Sequence, residues 1–411
     1  MTAASFRIAL LTDGFPPDGR GGAESIALRE AEYLARVGHE VLVVSTTRRL
    51  ADERPSPEDG YRVVRFHSDY PERWRGYRAL LNPPVVRRVA DCLSLFRPHA
   101  VHAHNVHFHL SYATLAVARR HARRVVLTFH DAMAFDYGKT GIHGRICRMT
   151  LPRLFATYGL QVNPLRGPAI RAMLRCCDIR LAVSESLADA LRAHDLGPVE
   201  VLHNGVSASF WGQHSAGDVA AFRAEYGLSD RPAVLFGGRV SALKGVRVAV
   251  DALDLARKSV PSLVLMLAAE QPAVRSVREY AHSRGLPSDA IVELGWLSPQ
   301  RLRAAYAASV AVLVLSQYLD PFPTIVLEAM AAGSPVIATN LGGAREAVEA
   351  GISGHTVDPM DASAVAAHIV ALERSPMMRA QMSAAARARV RSAFEEDTQF
   401  ARLLEYLTAP S

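Results

Sequence analysis

The feature that most limits what this chain can fold into is an alternation that runs through it twice. Short, strand-length runs rich in Val, Ile and Leu are each followed by turn residues and then by apolar residues at helical spacing. Residues 6–12 are the first run, 13–21 a Gly/Pro-rich loop, and 22–37 a helix with Ile26, Leu28, Ala31, Leu34 and Ala35 on one face. Strands are expected again at 40–45, 100–104, 125–129, 179–183 and 200–202. The series restarts at 233–237, 263–268, 291–294, 310–315 and 335–338. Nearly continuous aliphatic strands separated by helices are the mark of parallel sheets buried on both faces. Two series in one chain predict an α/β protein of two doubly wound, Rossmann-like domains facing across a cleft. The expected division is 1–208 and 209–391, with polar residues 207–218 as the break. A C-terminal helix at about 392–411 is expected to cross back onto the first domain.

Charge narrows the function. The chain has 411 residues and a formal net charge of +7. Residues 62–124 alone hold 12 arginines against Asp69, Glu72 and Asp91, whereas 209–411 is net −1. The excess is local, and no recognition motif accompanies it, so nucleic acid is not expected as a partner. Cys92, Cys147, Cys176 and Cys177 form no metal-binding pattern and read as reduced thiols, which suits a cytoplasmic setting. The first apolar run is strand-sized, so no signal peptide is expected, and no stretch reaches about 18 apolar residues.

In open parallel sheets ligands bind beyond the carboxyl ends of the strands, so the candidate residues are those that follow each strand. Gly19, Gly21 and Gly22 open the first helix, where glycines either let backbone N–H groups approach a phosphate or simply make a turn. Glu24 in its first turn is a dipole partner or a substrate acceptor. Gly237-Gly238-Arg239 ends a strand and Lys244 opens the next helix. Lys244 is one of only three lysines, with Lys139 and Lys258, beside 44 arginines. An Arg/Lys pair there suits a diphosphate or is a solvated surface pair. Asp320, followed by Pro321-Phe322-Pro323-Thr324, leads into a helix with Leu327 and Glu328. Glu328 in an apolar run needs a partner, either a ligand hydroxyl or a structural ion pair. His130-Asp131 and His203-Asn204-Gly205 end two further strands, as site residues or as structural ones. His102, His104, His107 and His109 look like a metal cluster, but no nearby carboxylate or thiol completes a set, so no metal is expected.

Taken in order, these pieces resemble glycosyltransferase family 4, retaining nucleotide-sugar transferases of the GT-B fold. The match runs through Gly21-Gly22-Ala23-Glu24, Gly38-His39-Glu40, His104-Asn105, Thr128-Phe129-His130-Asp131 and Ser184-Glu185. It continues through His203-Asn204-Gly205, Gly238-Arg239, Lys244-Gly245, the 320–328 segment, Gly333 and Gly342-Gly343. The resemblance implies that Arg239 and Lys244 hold the donor diphosphate, with Gly21, Gly22 and Gly238 beside it. Glu328 binds the ribose, and Pro323 and Leu327 belong to the donor site. Asp320 contacts the transferred sugar, near the amides of Phe322 and Thr324. His130 faces the reaction centre, and Glu24, Asp131 and Asn204 lie on the acceptor side. It implies a UDP-sugar, or alternatively a GDP-sugar, as donor, a small-molecule hydroxyl as acceptor, and no cofactor or metal.

Three places depart from the family pattern. Asp320 stands where glutamate is usual and is one methylene shorter. Ala269-Glu270-Gln271-Pro272 replaces a glycine-rich turn. Segment 132–176 matches no motif and is expected to shape the acceptor site. Two alternatives remain: a peripheral-membrane transferase whose arginines and aromatics (Arg73-Trp74-Arg75, Tyr77-Arg78) meet anionic headgroups, and an inactive sugar-nucleotide-binding protein on the same fold.

Overall fold

The computed structural model describes residues 5–409 apart from 20, 51–55, 59 and 138–147. Gly138, Lys139, Gly141, Gly144 and Cys147 of the 132–176 segment lie outside the described residues. The chain forms two compact units, one of the described residues up to Asn204 together with Asp397 onward, the other of Gly205–Glu396.

The first unit holds β1 (Arg7–Thr12), β2 (Glu40–Thr47), β3 (Ser56–Glu58), β4 (Tyr61–His67), β5 (Ala100–His104), β6 (Arg124–Phe129), β7 (Ile179–Ala182) and β8 (Glu200–Val201). They make one 8-stranded sheet in the order β3-β4-β2-β1-β5-β6-β7-β8. Every pairing is parallel except β3 with β4. The order reverses between β1 and β5, whose register sets Thr12 opposite His104. In turn β5 sets His104 opposite Thr128 of β6.

The second unit holds β9 (Ala233–Phe236), β10 (Val264–Leu267), β11 (Ile291–Glu293), β12 (Ala311–Val314), β13 (Val336–Thr339) and β14 (Gly354–Val357) in a fully parallel sheet, β11-β10-β9-β12-β13-β14. Here the order reverses between β9 and β12. Both sheets are doubly wound, as the alternation predicts, and their strand residues are nearly all buried.

Three strands, β3, β4 and β14, escape the sequence pattern, the last two for identifiable reasons. β4 interleaves Arg62 and Arg65 with apolar residues, yet Val63 and Phe66 are buried and Arg65 itself turns inward to donate to the Pro16 carbonyl at 2.6 Å. β14 is an edge strand with His355 and Thr356 at its centre, too polar and short to stand out. The expected linker 207–218 is instead helical: Ala208–Gly212 is capped by Ser207, and Ala216–Glu225 opens on a Ser215/Asp218 capping box.

The C-terminal helix Glu396–Thr408 places Phe400, Leu403 and Leu407 in the first unit's core with Leu34, Val43 and Leu181. The Phe400 ring lies 5.5 Å from Tyr33. Ala409, the last described residue, is tied down as well, since Arg124 donates to its carbonyl at 2.9 Å. The arginine-rich surface is smaller than composition suggests. Arg62 pairs with Glu40, Arg119 with Asp178, and Arg75 turns in to His107.

Phe400→Ala should destabilise the first unit by about 3–5 kcal/mol. Urea unfolding followed by tryptophan and circular-dichroism signals would show it, and a change under about 1 kcal/mol would mean that the helix does not complete this core.

Candidate active site

In the second unit the polar groups converge where β9 and β12 diverge. After β9 the chain passes Gly238 and the exposed Arg239, and then makes a single turn, Ala242–Lys244, capped by the Ser241 hydroxyl. Lys244 Nζ donates to Asp320 Oδ2, which also accepts from Ser316 Oγ at 2.7 Å. The Tyr318 ring lies 5.4 Å from the same ammonium. Burial works against charge on Lys244, but Asp320 and Tyr318 outweigh it and raise its proton affinity above the ordinary 10.5. Asp320, buried to 7% exposure, is thus engaged by Lys244 and Ser316.

The loops are locked to one another by backbone. Gln317 N–H donates to the Leu243 carbonyl at 2.8 Å, and Gly343 N–H to the Asp320 carbonyl at 2.9 Å. Gly342 has φ +65°, and a Cβ there would fall 2.0 Å from the Asp320 oxygen, so no other residue fits.

The helix Thr324–Ala332 starts directly after Pro323. Glu328 Oε2 accepts from the Tyr306 hydroxyl at 2.9 Å, supplying the partner that a carboxylate in an apolar run requires. Burial, and then Glu328, push the Tyr306 phenol well above its ordinary value. Phe322 is buried with its ring 5.6 Å from Phe394, and Thr324 is partly exposed. Leu327 corrects an expectation. Its side chain is fully buried inside the helix packing, so it cannot line a donor site.

In the first unit, the glycines before helix Gly22–Arg36 have a local purpose. The Glu24 side chain folds back over them, and a Cβ on Gly21 would lie 2.3 Å from Glu24 Oε2. No atom crowds Gly22. Asp13, at the end of β1, accepts from the amides of Phe108 and Leu110 at 2.7 Å each, holding the loop after β5 against β1. Burial raises its carboxyl to about 6 against the opposing pull of His107, the two amides and Arg75.

That loop turns on Asn105 at φ +45°, a left-handed position that asparagine tolerates. Asn105 donates to Asp131 at 3.0 Å and accepts from the His130 amide at 3.0 Å. Asp131 also accepts from His107 Nε2 at 2.9 Å and the Met133 amide at 2.8 Å. Burial works against its charge, but His107 and these bonds hold its carboxyl below the ordinary range. Asp131 therefore organises the loop. Asn204 is buried just after β8.

The histidine cluster also departs from expectation. His107 and His109 turn away, to Asp131 and to Ser68 Oγ at 2.9 Å. His102 and His104 do meet a carboxylate, Glu30 of the first helix, which sequence proximity did not reveal. His102 Nδ1 is 2.8 Å from Glu30 Oε1, and His104 Nε2 is 2.9 Å from Oε2. All three side chains are fully buried, and they offer ligand atoms within 4.8 Å of one another, a set that could hold a metal ion. His104 Nδ1 continues to His130 Nε2 at 2.9 Å, and His130 is partly exposed. Burial, and then His104 and His102, lower the His130 proton affinity well below 6.5.

Sequence reasoning missed Asp13, Glu30 and Tyr306. Asp13 ends the strand at the order reversal, so the strand-end rule could have found it. Glu30 and Tyr306 face inward from helices and carry no such signal. The 132–176 segment forms helices Leu151–Tyr158 and Arg166–Leu174. They line a cavity of about 380 Å³, the second through Arg171, together with Phe135, Arg148 and His194.

Two Rossmann-like units, each with polar groups gathered where its strand order reverses, are the build of a GT-B glycosyltransferase. Residues 20–210 match the family model described as Glycosyltransferase Family 4, and residues 218–389 the model described as Glycosyl transferases group 1. The chain belongs to glycosyltransferase family 4. It is 27% identical to the glycogen synthase of Mycobacterium tuberculosis strain H37Rv over 95% of this chain and 92% of that one. It is 26% identical, over 98% of each chain, to the GDP-mannose-dependent alpha-(1-6)-phosphatidylinositol monomannoside mannosyltransferase of the same organism. Anabaena HepE, solved with UDP and glucose, superposes with TM-score 0.71 at 20% identity, over 98% of this chain and all of that one.

Folding raises the proton affinity of Asp13 from the ordinary 3.8 to about 6. Its stabilising contribution is therefore complete below the ordinary value and is lost as the pH rises through about 6, roughly 3 kcal/mol in all. Compared with wild type, Asp13→Asn should lack this decline in urea-unfolding stability between about pH 4 and 6. Parallel pH profiles for the two proteins would assign the decline to other groups.

Proposed function

We propose that the chain transfers a hexose from a UDP-sugar to a hydroxyl of a small-molecule acceptor, with retention at the anomeric carbon. The observation that carries this is the second unit's strand-end cluster. It presents Lys244 and Arg239 on one loop, Asp320 and the start of helix Thr324–Ala332 on the next, and Glu328 held by Tyr306 within that helix. Two cations suit a diphosphate, a fixed carboxylate suits a ribose diol, and helix-start amides with Gly238 suit phosphate or sugar oxygens. The relative that uses GDP-mannose and the neighbour solved with UDP and glucose support a nucleotide-sugar donor. They also make a GDP-sugar the alternative.

In this mechanism the acceptor oxygen bonds to the anomeric carbon on the face that the diphosphate leaves. The bond from that carbon to the leaving phosphate oxygen breaks, and a diphosphate oxygen takes the acceptor proton. Arg239 and Lys244 stabilise the negative charge growing on the diphosphate. The family resemblance further assigns His130, Asn204, Glu24, Gly21 and Gly22 of the first unit to sugar and acceptor binding. No metal has a part in these steps.

A second reading, a peripheral-membrane transferase, draws on the exposed Trp74 (49%) and Tyr77 (44%) beside the exposed Arg73 and Arg78. Arg75 is lost from that patch because it turns in to His107. Among the described residues no helix is long and apolar enough to cross a membrane.

Incubation with UDP-glucose and GDP-mannose should raise the melting temperature with the first more than the second. Hydrolysis without acceptor should be measurable and unaffected by EDTA. A shift with GDP-mannose alone would reassign the base, and no shift or turnover with any donor would leave the inactive reading standing. Arg239 is exposed, so Arg239→Ala should keep the melting temperature while lowering kcat by about 10²–10³-fold; unchanged turnover would remove it from the site. Sedimentation with phosphatidylserine vesicles at low salt should leave the protein in solution, and co-sedimentation would favour the membrane reading.

A further inference from the structure

The first unit buries three metal-ligating side chains that the proposed mechanism does not use. His102 and His104 stand two residues apart on β5 and so share one face of the strand. Their rings lie 4.1 Å apart. Glu30 of helix Gly22–Arg36 meets both. Its Oε2 is 3.0 Å from His102 Nδ1 and 2.9 Å from His104 Nε2, and its Oε1 is 2.8 Å from the same His102 nitrogen. All three residues are at most 1% exposed.

Hydrogen bonding alone does not account for this contact. A carboxylate taken out of water needs a cation or several donors beside it. Among the described residues, the hydrogen bonds to Glu30 come from one nitrogen, His102 Nδ1, which serves both oxygens. His104 Nε2 lies against the same carboxylate but out of line with it, and so has no hydrogen-bond partner. A fully buried nitrogen beside a carboxylate oxygen, with no hydrogen bond between them, is an arrangement that a shared cation completes. The nitrogens on the far side of both rings have outer partners. His102 Nε2 is 2.7 Å from Thr128 Oγ1, and His104 Nδ1 is 2.9 Å from His130 Nε2, with those two rings 21° from parallel. Metal-bound histidines characteristically engage such a partner through the other ring nitrogen, which fixes the ring.

We propose that Glu30, His102 and His104 bind a structural zinc ion, which pins helix Gly22–Arg36 to β5. Two imidazoles and a carboxylate are zinc donors, whereas calcium and magnesium take oxygen. Ferrous iron uses the same donors in sites with open positions, and this set is sealed from solvent. Around zinc at roughly 2.0–2.1 Å, tetrahedral donors sit about 3.3 Å apart, so the gaps between donors need to open by only a few tenths of an ångström. Glu30 Oε1 is at hand for the fourth position. The ion has no part in sugar transfer, and the proposal stands on the first unit's geometry whichever donor the protein uses.

The test uses the full chain, produced without a histidine tag in zinc-supplemented medium. Elemental analysis should find about one zinc per chain. The ion should survive dialysis against EDTA, because the site is buried, and pass to a chromogenic chelator when guanidinium unfolds the protein. Protein unfolded with EDTA and refolded should gain several degrees of melting temperature when zinc is restored. Cobalt in its place should give the visible absorption of a tetrahedral site. His104→Gln and Glu30→Gln should lose the stoichiometric ion. His109→Gln, whose ring meets Ser68 outside the set, should keep it. If the first two variants do not fold, the wild-type measurements decide alone. Wild type that carries no zinc as purified, or another metal instead, overturns the proposal, as does folded His104→Gln with wild-type zinc content.

Discussion

A parallel sheet covered by helices on both faces has nowhere to put a polar side chain except beyond its strand ends. Here β1, β5, β9 and β12 are almost wholly aliphatic over their buried lengths, apart from residues near their ends and the histidines of β5. Where the strand order reverses, between β1 and β5 in one unit and β9 and β12 in the other, the connections leave in opposite directions and open a gap at the carboxyl edge. Asp13, Asn105 and His130 gather at the first gap, and Arg239, Lys244 and Asp320 at the second.

The two gaps are built differently. In the second unit, loops clamp each other through backbone bonds such as Gly343 to Asp320, and a buried ammonium–carboxylate pair lies between them. Neutralising Lys244 with Asp320 lets both charges survive burial. In the first unit the loop after β5 is held by carboxylates that receive amides, Asp13 and Asp131, and the charge behind it is absorbed by imidazoles around Glu30. The first arrangement leaves Arg239 exposed beside a Lys244 neutralised by Asp320. The second presents a neutral ring.

Much of this was legible in the order of residues. The alternation of aliphatic runs and helical segments specifies parallel, doubly wound sheets, because no other arrangement buries so many consecutive aliphatic residues on both faces. The strand-end rule then picks out Gly238, Arg239, Lys244, Asp320, His130 and Asn204. It failed where polarity masked a strand, as with the arginines of β4, or where a polar stretch such as 207–218 carried helix caps instead of a linker. It misjudged Leu327, which is near the site in sequence but points into the helix packing. It overstated the basic patch, because counting arginines cannot show that Arg65 and Arg75 turn inward.

Periodicity and turn chemistry are local properties, and they suffice for the fold class, the family resemblance and the loops that matter. Partners are not local. Glu30 stands 72 residues from His102, and Lys244 stands 76 from Asp320. Whether a histidine meets a carboxylate, and hence which of its nitrogens holds a proton, depends on how a helix is rotated against a sheet. Packing of the whole unit sets that rotation, and no sequence window contains it.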